Sequence, residues 1–85
     1  MNPTMTTDEL RAAIVRNLRK VAPEADAATL DPTVPFRDQI DLDSMDYFNF
    51  VLGLHKELQV EIPEGDYQKL ISLQSCIEYL AGKVR

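Results

Sequence analysis

The sequence is poor in the residues that support disulfides, metal sites and hydroxyl-based catalysis. It holds one cysteine and one histidine in 85 residues. A single cysteine cannot form an intramolecular disulfide, which favours a reducing compartment. A single histidine excludes a histidine-based metal site and leaves a Ser/His/acid triad only one possible base. No apolar run approaches the roughly 18 residues of a transmembrane helix, and the first residues lack a signal-peptide pattern. We therefore expect a cytoplasmic protein without membrane insertion.

Charge is present but unevenly distributed. The net charge is −5, and the stretch from Asp38 to Asp66 holds eight acids against one base, Lys56. This acidic block would repel the phosphates of a nucleic acid and favours a basic protein partner. The apolar fraction of 45% is ordinary for a folded chain. At this length we expect one domain over residues 1–85, with a single modest core.

Apolar residues recur at helical spacing in three segments. Thr6 and Glu9, at capping-box spacing, open the first helix and Pro23 ends it. The second helix begins at Ser44, and Ser72 caps the last. The predicted core-facing residues of the second helix are Phe48, Val51, Leu54 (or Leu52) and Leu58, and those of the last are Leu73, Cys76, Ile77 and Leu80.

A long crossover separates the first two helices. It runs from Pro23 to Asp43, and a loop of this length needs apolar anchors in a compact domain. The candidate anchors are Leu30, Val34, Phe36 and Ile40. Residues 64–71 allow a short helix, and no segment alternates with period two. The prediction is an all-α fold, a small bundle of three main helices plus one short helix with a long first crossover loop.

Most reactive side chains find a structural explanation. Cys76 lies on the apolar stripe of the last helix, which predicts a buried thiol. His55 is three helical turns from Ser44, too far to act as its base, and we expect it at the surface. The acids offer no catalytic pair. We therefore expect no enzyme, no catalytic residue and no metal site.

Ser44 is the exception, because it stands between two aspartates at the start of a helix, in "IDLDSMDYF". One interpretation is a plain N-cap, which would stabilise the helix by about 1 kcal/mol. The other is a hydroxyl offered for modification, since a phosphate ester there would lie beside free N–H groups and the positive end of the helix dipole.

Residues around this serine, and two segments after it, resemble the acyl carrier proteins. The family's Asp-Ser-Leu core is similar to Asp43-Ser44-Met45, followed by the usual acid Asp46, and its "EIP" turn stands here at residues 61–63. The segment "LQSCIEYL" matches the closing helix, so the resemblance covers a core of about residues 5–82. It implies a carrier of acyl thioesters on 4'-phosphopantetheine, esterified to Ser44 from coenzyme A.

The resemblance also implies partners and surfaces. A phosphopantetheinyl transferase would attach the arm, and acyl-loading and acyl-transferring enzymes of the pathway would use it, with the carrier itself a monomer. The expected partner-recognition residues are Asp43, Met45, Asp46, Tyr47, Leu52, Glu57 and Glu61. The residues expected to line a buried acyl chain are Phe48, Val51 and Leu54.

Departures from the family pattern point to a specialised pathway. Asp41 stands where a glycine is usual, and Asn49, His55 and Lys56 interrupt the usual row of acids on the second helix. Fatty acid, polyketide or related synthesis all remain open. The alternatives are a carrier of aminoacyl or peptidyl groups in non-ribosomal synthesis, and a helical adaptor that never receives the arm.

Overall fold

The described part of the protein, residues 5–26 and 28–83 of a computed structural model, consists of helices joined by turns and loops and contains no strand. In chain order the elements are α1 (Thr7–Val21), α2 (Phe36–Gln39), α3 (Ser44–Leu58), a 3-10 helix (Glu64–Leu70) and α4 (Leu73–Ala81). This confirms the all-α prediction, including the short helix before the last one. The ends of the predicted domain, residues 1–4 and 84–85, lie outside the described residues.

Helix α1 begins and ends where its sequence signals predict. The Thr6 hydroxyl accepts from the Glu9 N–H at 3.1 Å, and the Glu9 carboxylate accepts from the Thr6 N–H at 2.8 Å. This reciprocal pair is the predicted capping box, which satisfies N–H groups that have no acceptor within the helix. The helix ends at Val21, before Pro23, and packs against both α3 and α4.

The crossover is pinned to the core rather than loose. Leu30, Phe36 and Ile40 are buried as predicted, whereas Val34 is only half-buried. The chain between them forms one helical turn, α2, that the sequence did not predict as a separate element. The Phe36 N–H donates to the Ile71 carbonyl at 2.7 Å, and its ring lies edge-on against Phe50 with centroids 5.5 Å apart. These contacts fix the entry to α3.

The buried stripe of α3 differs from the predicted one. Phe50, Val51 and Leu54 are buried, but Phe48 is 46% exposed. The prediction that Phe48 faces the core is therefore wrong, and Phe50 takes that place. Either Phe48 or Phe50 can join Val51 and Leu54 in a buried stripe at helical spacing, because apolar residues occur on most faces of this helix. Phe50 is the one that is buried, in contact with Phe36 of the crossover.

Helix α4 closes the bundle as its sequence predicts. The Ser72 hydroxyl accepts from the Ser75 N–H at 3.2 Å, which confirms Ser72 as the N-cap. The four residues expected to face inward are all buried: Leu73, Cys76, Ile77 and Leu80. The 3-10 helix is held to α4 through the Tyr79 hydroxyl, which donates to the Asp66 carboxylate at 2.6 Å.

Candidate functional site

Ser44 is the first residue of α3, not its N-cap. The N-cap is Asp43, whose carboxylate accepts from the Asp46 N–H at 2.8 Å, while the Asp46 carboxylate accepts from the Asp43 N–H at 3.4 Å. The interpretation of Ser44 as a capping serine is therefore wrong. Its residue is exposed, and no hydrogen bond among residues 5–26 and 28–83 involves its hydroxyl. Since Asp43 caps the helix, the Ser44 oxygen is left available for chemistry.

The backbone around Ser44 favours an anionic ester at this oxygen. The first N–H groups of an α-helix have no acceptor within it and carry the positive end of the dipole. The Asp46 N–H donates to the Asp43 side chain and the Tyr47 N–H to the Asp43 carbonyl, whereas the N–H groups of Ser44 and Met45 have no acceptor among the described residues. Asp41 and Asp43 are exposed beside it and add negative charge. The site thus combines a favourable helix end with an acidic rim that a basic partner can neutralise.

No histidine lies beside Ser44 in the described part of the protein. The histidine that could serve as a base, His55, lies near the far end of α3, where its Nδ1–H donates to the Val60 carbonyl at 2.6 Å. It closes the turn after the helix, in which Gln59 adopts left-handed backbone angles. The predicted surface position of His55 is confirmed. Ser44 therefore lacks the histidine base of a Ser/His/acid triad.

One flank of α3 beside Ser44 carries exposed apolar side chains. Met45 is 66% exposed and Phe48 46%, and Leu52 is half-buried. These three residues follow one another at helical spacing, so they form a single strip, which we call the apolar strip. Met45 and Leu52 were predicted here for partner recognition, whereas Phe48 was predicted to lie inside. The sequence signal that could have placed Phe48 correctly is its spacing of three from Met45 and four from Leu52.

Tyr47 faces inward and does not belong to the apolar strip. Its ring is half-buried between Phe50 and Tyr67, and its hydroxyl donates to the carbonyls of Tyr67 and Leu70, the latter at 3.1 Å. Burial raises the pKa of Tyr47 to about 12. The expectation that Tyr47 offers a free surface for partners is corrected, because its polar end ties α3 to the 3-10 helix.

Glu57 also has an internal partner. Its carboxylate forms an ion pair with Arg16 and accepts from the Asn17 side-chain amide at 2.9 Å, so it connects α3 to α1. The Arg16 guanidinium holds the pKa of Glu57 below its ordinary value, against the opposing effect of burial. Glu61, the other acid expected to extend the negative field, is exposed beyond the end of α3. Glu57 thus has a structural contact that the sequence analysis did not predict, and its role in partner recognition stays a prediction.

The interior offers little chemistry of its own. Burial raises the pKa of the Cys76 thiol well above its ordinary range, which keeps it protonated, and the predicted buried thiol is confirmed. Among the described residues no group of three or more His, Cys, Asp or Glu side chains could hold a metal ion, and none of their helices is long and apolar enough to cross a membrane. Val51 and Leu54, expected to line an acyl chain, lie in the closed core.

Comparison with known proteins agrees with this site. A family model described as a phosphopantetheine attachment site matches residues 8–80, a span that includes Ser44. Acyl carrier proteins of Campylobacter fetus and Campylobacter jejuni are 32% and 28% identical over 75 residues, or 88% of this chain and 91% of each relative. Acyl carrier protein 2, mitochondrial, of Arabidopsis thaliana is 29% identical over 70 residues, 82% of this chain and 52% of that protein.

The fold has a solved counterpart as well. The solution structure of a protein of Anaplasma phagocytophilum, provisionally assigned to the acyl carrier proteins, superposes with a TM-score of 0.77 at 22% identity and covers 94% of this chain and 93% of its own. At that identity the likeness shows the fold alone. The family match and the relatives together show that the chain belongs to the acyl carrier proteins of the phosphopantetheine-attachment family, whose prosthetic group is covalently bound 4'-phosphopantetheine.

Proposed function

We propose that Ser44 carries the phosphopantetheine arm and that the protein holds acyl groups as thioesters on it. The observation that supports this most directly is the exposed Ser44 hydroxyl at the first position of α3, next to a helix cap that Asp43 supplies in its place. The other serines of the sequence, Ser72 and Ser75, hydrogen-bond to each other at the start of α4.

The residues at this position fit the group. An ester at the Ser44 oxygen places a phosphate at the N-terminus of a 15-residue helix, where the N–H groups of Ser44 and Met45 face it. The arm supplies the thiol that binds the acyl group. Cys76 does not compete with it, because its thiol is buried and protonated. The chain's own contribution is to fix the attachment point and to present it to partners, so it acts as a carrier and not as a catalyst.

The partners we propose are a phosphopantetheinyl transferase and enzymes that load and unload acyl groups. The exposed Asp41 and Asp43 and the half-buried Asp46 form an acidic rim around Ser44, and the apolar strip begins directly beside it. A transferase with basic residues around its active site complements this arrangement. We further propose that residues 1–85 act as one monomeric carrier domain in the cytoplasm.

The pathway we propose is a specialised one rather than general fatty acid synthesis. Exposed Asn49 and Lys56 and the apolar strip replace much of the acidic character expected on this face of α3. A partner surface built for a row of acids would meet Lys56 as a like charge, which disfavours that complex. If general fatty acid synthase enzymes use the loaded protein as well as their own carrier, this part of the proposal fails.

Incubation with coenzyme A and a phosphopantetheinyl transferase, followed by intact-mass measurement, tests the proposal. We expect the wild type and the control Ser75→Ala to gain the mass of one phosphopantetheine, and Ser44→Ala to gain nothing. A wild-type protein that stays unmodified with several transferases would favour the alternative of an unmodified helical adaptor. Loading by an aminoacyl-activating enzyme in preference to an acyl-loading one would favour the aminoacyl or peptidyl carrier.

A further inference from the structure

A mainly apolar groove lies one helical turn from Ser44, between the crossover and the 3-10 helix. Its volume is about 410 Å³, within the range of small-molecule sites. One wall is residues 35–38 of the crossover, the other is formed by Tyr67, Gln68 and Ile71, and Tyr47 lies between them. Tyr47 and Ser44 are three residues apart on α3 and share a face, so a chain attached to Ser44 starts beside this groove.

The direct route from this groove into the bundle is closed. The Tyr47 hydroxyl joins α3 to the 3-10 helix through the carbonyls of Tyr67 and Leu70. Its ring packs against those of Phe50 and Tyr67, with centroids 6.3 and 6.4 Å away. Behind it, Leu54 and Leu70 have no exposed surface. Cargo entering between α3 and the 3-10 helix would have to displace Tyr47 and leave two carbonyls without their donor.

The outer groove needs no such rearrangement. Ile71 is 46% exposed at its edge, although its carbonyl is bound by the Phe36 N–H. Arg37, Asp38 and Gln68 supply donors and acceptors at the rim, which suit the amide groups of a pantetheine chain, while the apolar lining suits the acyl group. A second groove, lined in part by Leu52 and Ile62, has about half the volume, 210 Å³, and begins about one turn beyond Tyr47 along α3.

We propose that the acyl group on the arm rests in the outer groove beside Tyr47, and that the Tyr47 hydroxyl keeps it out of the bundle. This deepens the proposed function, on which it depends, by assigning the cargo a binding place on this chain. The expected ligand is an acyl thioester of modest length. The acyl-lining role predicted for Phe48, Val51 and Leu54 would then pass to the groove residues.

Nuclear magnetic resonance of the loaded protein tests the proposal independently of any enzyme activity. A transferase is used to load the wild type from coenzyme A and from octanoyl-coenzyme A, and intact mass verifies each product. Failure to load at this stage would refute the proposed function and not the groove. For the loaded pair, we expect the octanoyl group to shift amide signals of residues 36–38 and 67–71, and to leave the methyl signals of Leu54 and Leu80 unchanged.

Matched variants separate the possible locations. Ile71→Glu should abolish the octanoyl-dependent shifts, whereas Ala12→Glu, which adds the same charge at an exposed residue of α1 outside the groove, should preserve them. Tyr47→Phe keeps the ring and removes the hydroxyl, and we expect octanoyl-dependent shifts at Leu54 and Leu80 to appear. Core methyl shifts in the wild type, shifts confined to Leu52 and Ile62, or no octanoyl-dependent shift at all would each overturn the proposal.

Discussion

At the scale of single residues, capping of α3 and exposure of a hydroxyl fall to two neighbours, Asp43 and Ser44, although a single N-cap serine could supply both the cap and a hydroxyl. Asp43 caps α3 through the Asp46 N–H, and the hydroxyl of Ser44 remains exposed. A hydroxyl engaged in capping would have to give up its hydrogen bond or share its oxygen when an ester forms. Placing the reactive oxygen one position after the cap lets the helix keep its end intact in the unmodified and the modified protein.

This division predicts opposite effects for neighbouring substitutions. Asp43→Ala should lower the free energy of unfolding by about 1 kcal/mol, because it removes the cap of α3. Ser44→Ala should change it by a few tenths of a kcal/mol at most, since alanine is tolerated at the first helical position, yet it should abolish loading. Chemical denaturation of both unmodified variants measures this. A loss in Ser44→Ala as large as that in Asp43→Ala would contradict the assignment of the cap.

Gly53 allows α1 and α3 to approach each other closely. A Cβ at this position would lie 2.4 Å from Oδ1 of Asn17, a side chain only 1% exposed. Asn17 cannot turn its amide over to relieve this, because its Nδ2 donates to the Ala13 carbonyl at 2.8 Å and to the Glu57 carboxylate at 2.9 Å. Its Oδ1 has no hydrogen-bond partner among the described residues.

Gly53→Ala should therefore destabilise the protein even though alanine is the better helix former. The gain in helix propensity is about 1 kcal/mol, and overpacking of a filled site costs about 1–3 kcal/mol. We expect a net loss of about 1 kcal/mol in the free energy of unfolding, the middle of a range of about 0–2 kcal/mol. Gly65→Ala is the matched control, because a Cβ there meets nothing within 4 Å. Equal stability of the two variants would show that α1 and α3 can separate without cost.

At the scale of the elements, the helix ends were predictable from the sequence and the orientation of α3 was not. Capping boxes are local patterns, so Thr6 and Ser72 identified the starts of α1 and α4. The buried face of α3 depends on what packs against it. Phe48 and Phe50 are equivalent in composition and spacing, and only the position of Phe36 in the crossover decides between them.

The contacts of the side chains around Ser44 could not be predicted for the same reason: they depend on residues distant in sequence. The resemblance to a family and the Asp-Ser pair marked Ser44, which the structure places in an accessible position. The internal contacts of Tyr47 and Glu57 were not predicted because their partners are distant along the chain: the carbonyls of Tyr67 and Leu70 for one, and Arg16 and Asn17 for the other. Contacts of this kind follow from the packing of helices and carry no local sequence signal.

The burial of Tyr47 should make stability depend on alkaline pH. The pKa of Tyr47 is about 12 in the folded protein, against an ordinary value of 10.0. Between these values the unfolded chain releases the proton and the folded chain retains it, so stability falls as pH rises from about 10 to 12. Tyr47→Phe should lower stability at neutral pH by about 1 kcal/mol, through two carbonyls left without a donor, and should weaken this dependence.

Tyr79→Phe provides a comparison, because burial and the contact with Asp66 also raise the pKa of Tyr79 to about 12. Each variant should retain the alkaline dependence that the other tyrosine contributes. Thermal unfolding of the two variants and the wild type, measured across pH 8 to 12, separates the contributions of Tyr47 and Tyr79 to the pH dependence of stability. An unchanged pH profile in Tyr47→Phe would mean that its phenol titrates alike in the folded and unfolded chain.

At the scale of the whole molecule, acidic and apolar side chains lie close to Ser44, the proposed attachment point. Among the acids in the middle of the chain, Glu57 forms an ion pair within the protein. Asp41 and Asp43 are instead exposed near Ser44. The apolar strip begins at the next residue, Met45. This combination suits a partner that is attracted by charge and then held by apolar contact, because rim charges act mainly on the rate of association.

Loading should accordingly depend on ionic strength. The attraction between exposed charges is screened beyond about 8 Å at physiological salt, so the second-order rate of transfer from coenzyme A should fall as salt rises. Asp46→Asn removes one charge while keeping a side chain that can accept at the helix end, and should lower the rate and its salt dependence. Lys56→Gln is the opposite control and should raise the rate slightly. A rate indifferent to salt and to both substitutions would contradict electrostatic docking.

The central claim is that Ser44 is the residue that carries phosphopantetheine, and peptide mapping of the modified protein tests it most directly. After loading with coenzyme A and a transferase, the protein is digested and its peptides are sequenced by tandem mass spectrometry. The account predicts one phosphopantetheine, on the peptide containing Asp43-Ser44-Met45, and none on the peptide containing Ser72 and Ser75. A group found on any other residue, with Ser44 unmodified, would contradict it.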